Sequence, residues 1–172
     1  MKLRIAFRGI LWCLIISTTA LRSQENRDPK SVEPISIEGI KHLTTERHGK
    51  VLFLNLWATW CKPCVEEFPE IEKLRRSYPD SLIEIVAVSV DYPDETASKI
   101  LPFLQQHRVS FPILVADAPK QDDLINTLNR SWSGAIPATF IYDRRGVQRA
   151  ALMGQRDMNA FKIAVDSVLQ AP

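Results

Sequence analysis

Seven consecutive residues, Val51-Leu-Phe-Leu-Asn-Leu-Trp57, carry one polar side chain between them and run directly into Ala-Thr-Trp-Cys-Lys-Pro-Cys64. A run this apolar and this short is a strand covered on both faces, not an amphipathic helix or a bilayer span. Both faces of a sheet are covered when helices pack above and below it, so the run by itself calls for a layered α/β domain. The next segment supplies the first helix. From Cys61 to about Ser77, Val65, Phe68, Ile71 and Leu74 recur every three residues with charges between them, and Pro69 inside the pattern is expected to kink it.

The rest of the chain follows the same alternation. Ser36 is placed to cap a helix over 37–48. Leu82–Val90 and Phe111–Ala116 read as further buried strands. Helical spacing covers Asp94–His107, with a kink at Pro102, and a short helix covers Asp122–Arg130. Ala138–Tyr142 and Val147–Met153 flank Asp143-Arg-Arg-Gly146 as a hairpin, and Asp157 opens a last helix with Met158, Phe161, Val165 and Val168–Leu169 inward. Strands alternating with helices and closed by a hairpin and a helix make a three-layer α/β domain with a mixed sheet. At 172 residues, 45% hydrophobic and 24% charged, the chain has the length and the apolar content for one such core.

The N-terminus has a different character. Lys2, Arg4 and Arg8 precede the apolar stretch Ile10–Ile16, and the small residues Ser17-Thr-Thr-Ala20 follow. That is the pattern of a secretory signal peptide over 1–20, with Thr18 and Ala20 at the cleavage site and an uncleaved anchor as the alternative. Residues 21–34, polar and with two prolines, read as a tether, and 35–172 as the domain. Of the 22 Lys and Arg, three lie in the first twenty residues, leaving 19 against 20 Asp and Glu. The body is therefore not basic, which argues against a nucleic-acid partner. The domain is expected to be exported, to a bacterial periplasm or another extracytoplasmic space, and to be a monomer.

Export changes the meaning of the cysteines. Cys13 lies in the apolar stretch of the N-terminus, so the domain holds only Cys61 and Cys64. One pair so close together staples no distant segments, and so short a loop restricts little chain entropy. Placed at a strand-to-helix junction, the pair sits in the first turn of the helix, where free N–H groups favour negative charge. A thiolate is the reactive form of cysteine, so Cys61 is the candidate attacking thiol and Cys64, one turn inside, the resolving one. Lys62 adds positive charge beside them. A structural zinc site needs about four Cys or His ligands, and His42, His48 and His107 lack the spacing to complete one. No metal is expected, and no cofactor beyond the redox-active pair itself.

This motif resembles the thioredoxin superfamily, and Leu52–Pro69 is similar in particular to its exported TlpA/ResA-like thiol–disulfide reductases. The resemblance extends to Trp132-Ser-Gly-Ala-Ile-Pro-Ala-Thr-Phe-Ile-Tyr-Asp143, which is similar to the segment bearing that fold's cis-proline, and spans about residues 36–169. It implies a thioredoxin-like three-layer α/β/α sandwich with an inserted helix and strand around Asp94–Ala116. It implies a cis Ile136–Pro137 bond opposite the cysteines, with the backbone of Ile136 free to pair with an extended substrate, and Trp60, Ile136 and Pro137 at the substrate. Pro69 matches the proline that kinks this helix in thioredoxins. One departure concerns the proton-handling group. Thioredoxin's active-site strand carries a buried Asp where this chain has Asn55, and ResA-like members carry a Glu three residues after the second Cys, where Glu67 stands. Partial burial against Trp57, Trp60 or Pro137 would raise its pKa toward neutrality.

The activity expected is that of an extracytoplasmic thiol–disulfide oxidoreductase that reduces protein disulfides and is re-reduced by a membrane electron donor. A thiol peroxidase is the enzymatic alternative, although the Pro-x-x-x-Thr-x-x-Cys pattern of peroxiredoxins is absent. A Cu(I) carrier is the non-enzymatic one, since thiolates suit Cu(I), but copper proteins of this fold use C-x-x-x-C with a distal His.

Overall fold

The computed structural model describes residues 32–118 and 120–171. Residues 1–20, expected to be a signal peptide, and residues 21–31 of the expected tether lie outside that range. Six strands form one sheet in the order β1-β4-β3-β2-β5-β6. They are β1 Glu33–Ser36, β2 Val51–Trp57, β3 Ile83–Ser89, β4 Ile113–Asp117, β5 Ala138–Tyr142 and β6 Gln148–Met153. The first four are mutually parallel, β5 pairs antiparallel with β2 and β6 antiparallel with β5, so the sheet is mixed as expected.

Period-2 alternation along β2 divides the core in two. Val51, Phe53 and Trp57 belong to one cluster, with residues of helices α2 (Lys62–Arg76), α3 (Leu101–His107) and α5 (Met158–Leu169). Leu52, Leu54 and Leu56 belong to the other, with α1 (Ile37–Thr45) and α4 (Gln121–Leu128). The result is helix, sheet, helix, with all seven residues of β2 buried. Each large side chain so buried stabilises the fold by about 1.5–3 kcal/mol. An aromatic group of Trp57, Phe68, Phe103 and Phe111 fills the space between β2, α2 and α3.

The structure departs from the sequence reading at several places. Glu33 and Pro34, read as the end of the tether, are the start of β1. This is an edge strand, where a residue without an N–H is tolerated. Ser36 does cap α1, accepting from Gly39 N at 3.1 Å, but the helix ends at Thr45, three residues early. The single helix read over Asp94–His107 is a 3₁₀ turn (Pro93–Glu95), a π-helical turn (Thr96–Ile100) and then α3. Pro102 stands in the first turn of α3, directly after the π-helical turn. In α2 the buried residues are Cys64, Glu67, Phe68, Ile71 and Leu74, and Val65 is only half-buried.

Candidate active site

The C-terminal end of β2 delivers the cysteines. Trp57 ends the strand, Cys61 N donates to Ala58 O at 3.1 Å to close a turn, and Cys61 becomes the N-cap of α2. Its Sγ accepts the backbone N–H of Cys64 at 3.3 Å. Pro63 sits in the first turn, where its missing N–H is no loss. Cys61 and Cys64 form a disulfide of 2.00 Å, and they are 5% and 1% exposed. Trp60, just ahead of them, is 67% exposed.

The turn before Cys61 is held by a residue the sequence reading missed. Asp91, buried just past β3, accepts from Thr59 N at 2.9 Å, Thr59 Oγ1 at 2.7 Å and Ser89 Oγ at 2.6 Å. One carboxylate thus ties the end of β3 to the Thr59–Trp60 turn. The only local signal is a Ser and an Asp two residues apart at a strand end, which does not reveal a partner 32 residues away.

Glu67 lies one turn along α2 from Cys64 and is 1% exposed. Its two hydrogen-bond partners come from β2 and from the segment ahead of α5. Asn55 Nδ2 donates to Oε1 at 2.9 Å, and the backbone N–H of Arg156, ahead of α5, donates to Oε2 at 2.8 Å. Asn55 also donates to Thr139 Oγ1 on the neighbouring β5 at 3.0 Å. Asn55, Thr139 and Glu67 thus form a buried polar strip inside an otherwise apolar layer. Burial raises the Glu67 carboxyl against the opposing pull of the Arg156 and Asn55 hydrogen bonds, and leaves it at about 7. Asn55 is thus its direct side-chain hydrogen-bond partner. Neighbouring Glu66 is a half-exposed surface residue 3.7 Å from Lys62, whose side chain is 87% exposed.

The Ile136–Pro137 bond is cis. The pair precedes β5, whose first ladder residue, Ala138, is opposite Leu56 of β2, so the bend lies at the same sheet end as the cysteines. Ile136 therefore stands outside the ladder. Trp132 is buried and donates Nε1–H to Ala135 O at 2.7 Å, which holds the approach to the bend. Gly134, with φ of +83°, lets that loop close on α4: a Cβ there would sit 2.8 Å from Gln121 Nε2. Trp60 and Ile136 line one groove of about 750 Å³, with Tyr92, Asp117 and Trp132 among its other walls. A second hollow, of about 580 Å³, is lined by Lys73, Arg75, Arg76 and Arg108 at the far end of α2, away from the cysteines. The structure thus gathers Cys61, Cys64 and Glu67 on one helical face and Trp60 and Ile136 on one groove. Among the described residues no cluster of three or more His, Cys, Asp or Glu has the arrangement to hold a metal.

Comparison with known proteins gives a consistent picture. Residues 34–151 match the AhpC/TSA family. The thiol-disulfide oxidoreductase ResA of Geobacillus thermodenitrificans is 33% identical over 132 residues, covering 77% of this chain and 71% of its own. ResA of Bacillus cereus is 32% identical over 166 residues, covering 90% of this chain and 91% of its own. Among solved structures, a thiol-disulfide isomerase from Corynebacterium glutamicum superposes with a TM-score of 0.62 at 21% identity, over 74% of this chain and 85% of that one. The last likeness concerns the fold, which is thioredoxin-like.

Proposed function

Because the chain belongs to the AhpC/TSA family and, like the ResA proteins within its reach of similarity, is a thiol–disulfide oxidoreductase, we propose that it reduces protein disulfides outside the cytoplasm. In this reading Cys61 attacks and Cys64 resolves. The observation that carries the assignment is the N-cap position of Cys61, whose Sγ already accepts a backbone N–H, with Cys64 inside the first turn of α2. A thiolate forms most readily where N–H donors face it.

The reaction balances as two displacements. The Cys61 thiolate attacks one sulfur of the substrate disulfide, forms a mixed disulfide and expels the other sulfur as a thiolate, which takes a proton. Cys64 then gives its proton to the Glu67 carboxylate and attacks Cys61 Sγ. The Cys61–Cys64 disulfide forms, and the second substrate thiolate leaves. Two electrons pass from the dithiol to the substrate. A thiol of pKa about 8.5 is mostly protonated at neutrality, and a base of pKa about 7 one turn away lowers the barrier to resolution. Trp60, Ile136 and Pro137 position the substrate, with the backbone of Ile136 pairing with an extended segment. The pair needs no further cofactor, and a monomer contains every group involved.

The N-terminal pattern of Lys2, Arg4 and Arg8 before Ile10–Ile16 supports export, with a membrane electron donor restoring the dithiol. The test is turnover of disulfide-bonded insulin by the reduced protein, alongside Cys64→Ser. Reduction by the wild type and a Cys61-linked adduct in the variant support the assignment. An adduct in Cys61→Ser and none in Cys64→Ser reverses the roles. The same assay with hydrogen peroxide as acceptor separates a reductase from a thiol peroxidase.

A further inference from the structure

The groove beside the disulfide carries a charge that reduction chemistry does not require. Its charged lining residues are Asp91 and Asp117, and no Lys or Arg lines it among the described residues. Asp91 accepts from the Thr59 N–H and the Thr59 and Ser89 hydroxyls, none of them cationic. Asp117, the last residue of β4, is exposed. Two large rings complete the walls, Trp60 at 67% and Tyr92 at 74% exposure. The faces of such rings attract cations. Rings alone would accept an apolar side chain equally well, and carboxylates alone would be a solvated acidic edge. Together, in one cavity next to Ile136, they favour a group with both an apolar stem and a positive head. The basic hollow at the far end of α2 offers acidic segments a different place to go.

We propose that this groove selects disulfides flanked by a cationic residue. The preferred substrate is an extended segment with a Lys or Arg within a few residues of its disulfide cysteine, its stem against Trp60 and Tyr92 and its head toward Asp117. This specificity rests on the reductase reading above.

The experiment uses the reduced full chain and three disulfide-bonded peptides of equal length whose cysteines are flanked by Lys, by Leu or by Glu. Bis(2-hydroxyethyl) disulfide serves as a small uncharged substrate. At low salt kcat/KM is expected to fall from Lys to Leu to Glu, about tenfold or more between the extremes and chiefly through KM, with the gap narrowing at about 0.5 M salt. In Asp117→Asn and in Tyr92→Ala, the Lys-to-Glu ratio taken within each variant is expected to fall about threefold or more. Equal kcat/KM for the three peptides, a preference for Leu, or an unchanged ratio in both variants overturns the proposal. If bis(2-hydroxyethyl) disulfide is reduced but no charge preference is seen, only the specificity falls. If it is not reduced at all, the reductase reading falls and the specificity with it.

Discussion

Replacing Glu67 by Gln isolates the buried acid one turn from Cys64. The carboxyl is 1% exposed and sits at about 7 instead of 4.5, chiefly because burial disfavours the charged form. In the unfolded chain it ionises in the ordinary carboxylate range. Between 4.5 and about 7 the folded protein therefore holds a proton that the unfolded chain has lost, and stability falls as pH rises through that window. At about 1.4 kcal/mol for each tenfold change in equilibrium, the loss is about 3 kcal/mol, complete above pH 7. The Gln variant has no such window. It keeps the shape, because its Oε1 can still accept from Arg156 N while Asn55 turns its amide to present Oδ1 to the new NH₂. The assay is urea unfolding of the disulfide form, in which neither cysteine titrates, at about pH 4 and about pH 9. Wild type is expected to lose about 3 kcal/mol more than Glu67→Gln between the two. A difference below about 1 kcal/mol refutes the claim that Glu67 is a buried, neutral-range acid.

Other expectations follow from the same contacts. Asp91→Ala removes the acceptor that anchors Thr59 and Ser89; it is expected to lower unfolding free energy by about 2–4 kcal/mol and slow disulfide reduction, and a wild-type value for both dispenses with the clamp. Phe68→Ala opens a hole among Trp57, Phe103 and Phe111 and is expected to cost about 3–5 kcal/mol by denaturant unfolding, with a loss under about 1 kcal/mol contradicting the packing. Protein isolated from its native host is expected to begin near Leu21, and N-terminal sequencing that finds Met1 in a soluble cytoplasmic fraction contradicts export.

Local patterns announced the layered fold, and long-range pairing accounts for what they missed. β2 was legible because an apolar heptad has few other solutions, and its junction with the cysteines located the site. β1 was hidden because four residues beginning Glu33-Pro34 become a strand only by pairing with Leu114–Asp117. The π turn was hidden because apolar spacing does not distinguish a fourth-residue from a fifth-residue hydrogen bond; Leu101 N in fact donates to Thr96 O. Glu66 and Glu67 look alike in sequence, yet 64, 67, 71 and 74 form one helical stripe, so the register separated the buried acid from the solvated one. What it did not contain was Asn55 as the donor, 12 residues back on a different element. Asp91 escaped for the same reason, and no local pattern marked Tyr92, which lines one groove with Trp60 and Ile136.

The central claim is that this dithiol gives electrons to protein disulfides. Strong oxidants of this chemistry stabilise the reduced thiolate. Here Cys61 Sγ receives one backbone N–H, and a buried acid stands one turn from Cys64, where its carboxylate would oppose a second thiolate. The single N–H supports the Cys61 thiolate, whereas the carboxylate opposes it and favours the disulfide, and that opposition makes the dithiol a reductant. Equilibration of the Cys61–Cys64 pair with a glutathione redox series at neutral pH, followed by tryptophan fluorescence, measures this directly. The account predicts a potential at or below about −220 mV. A value near about −120 mV, that of a strong disulfide donor, would contradict it.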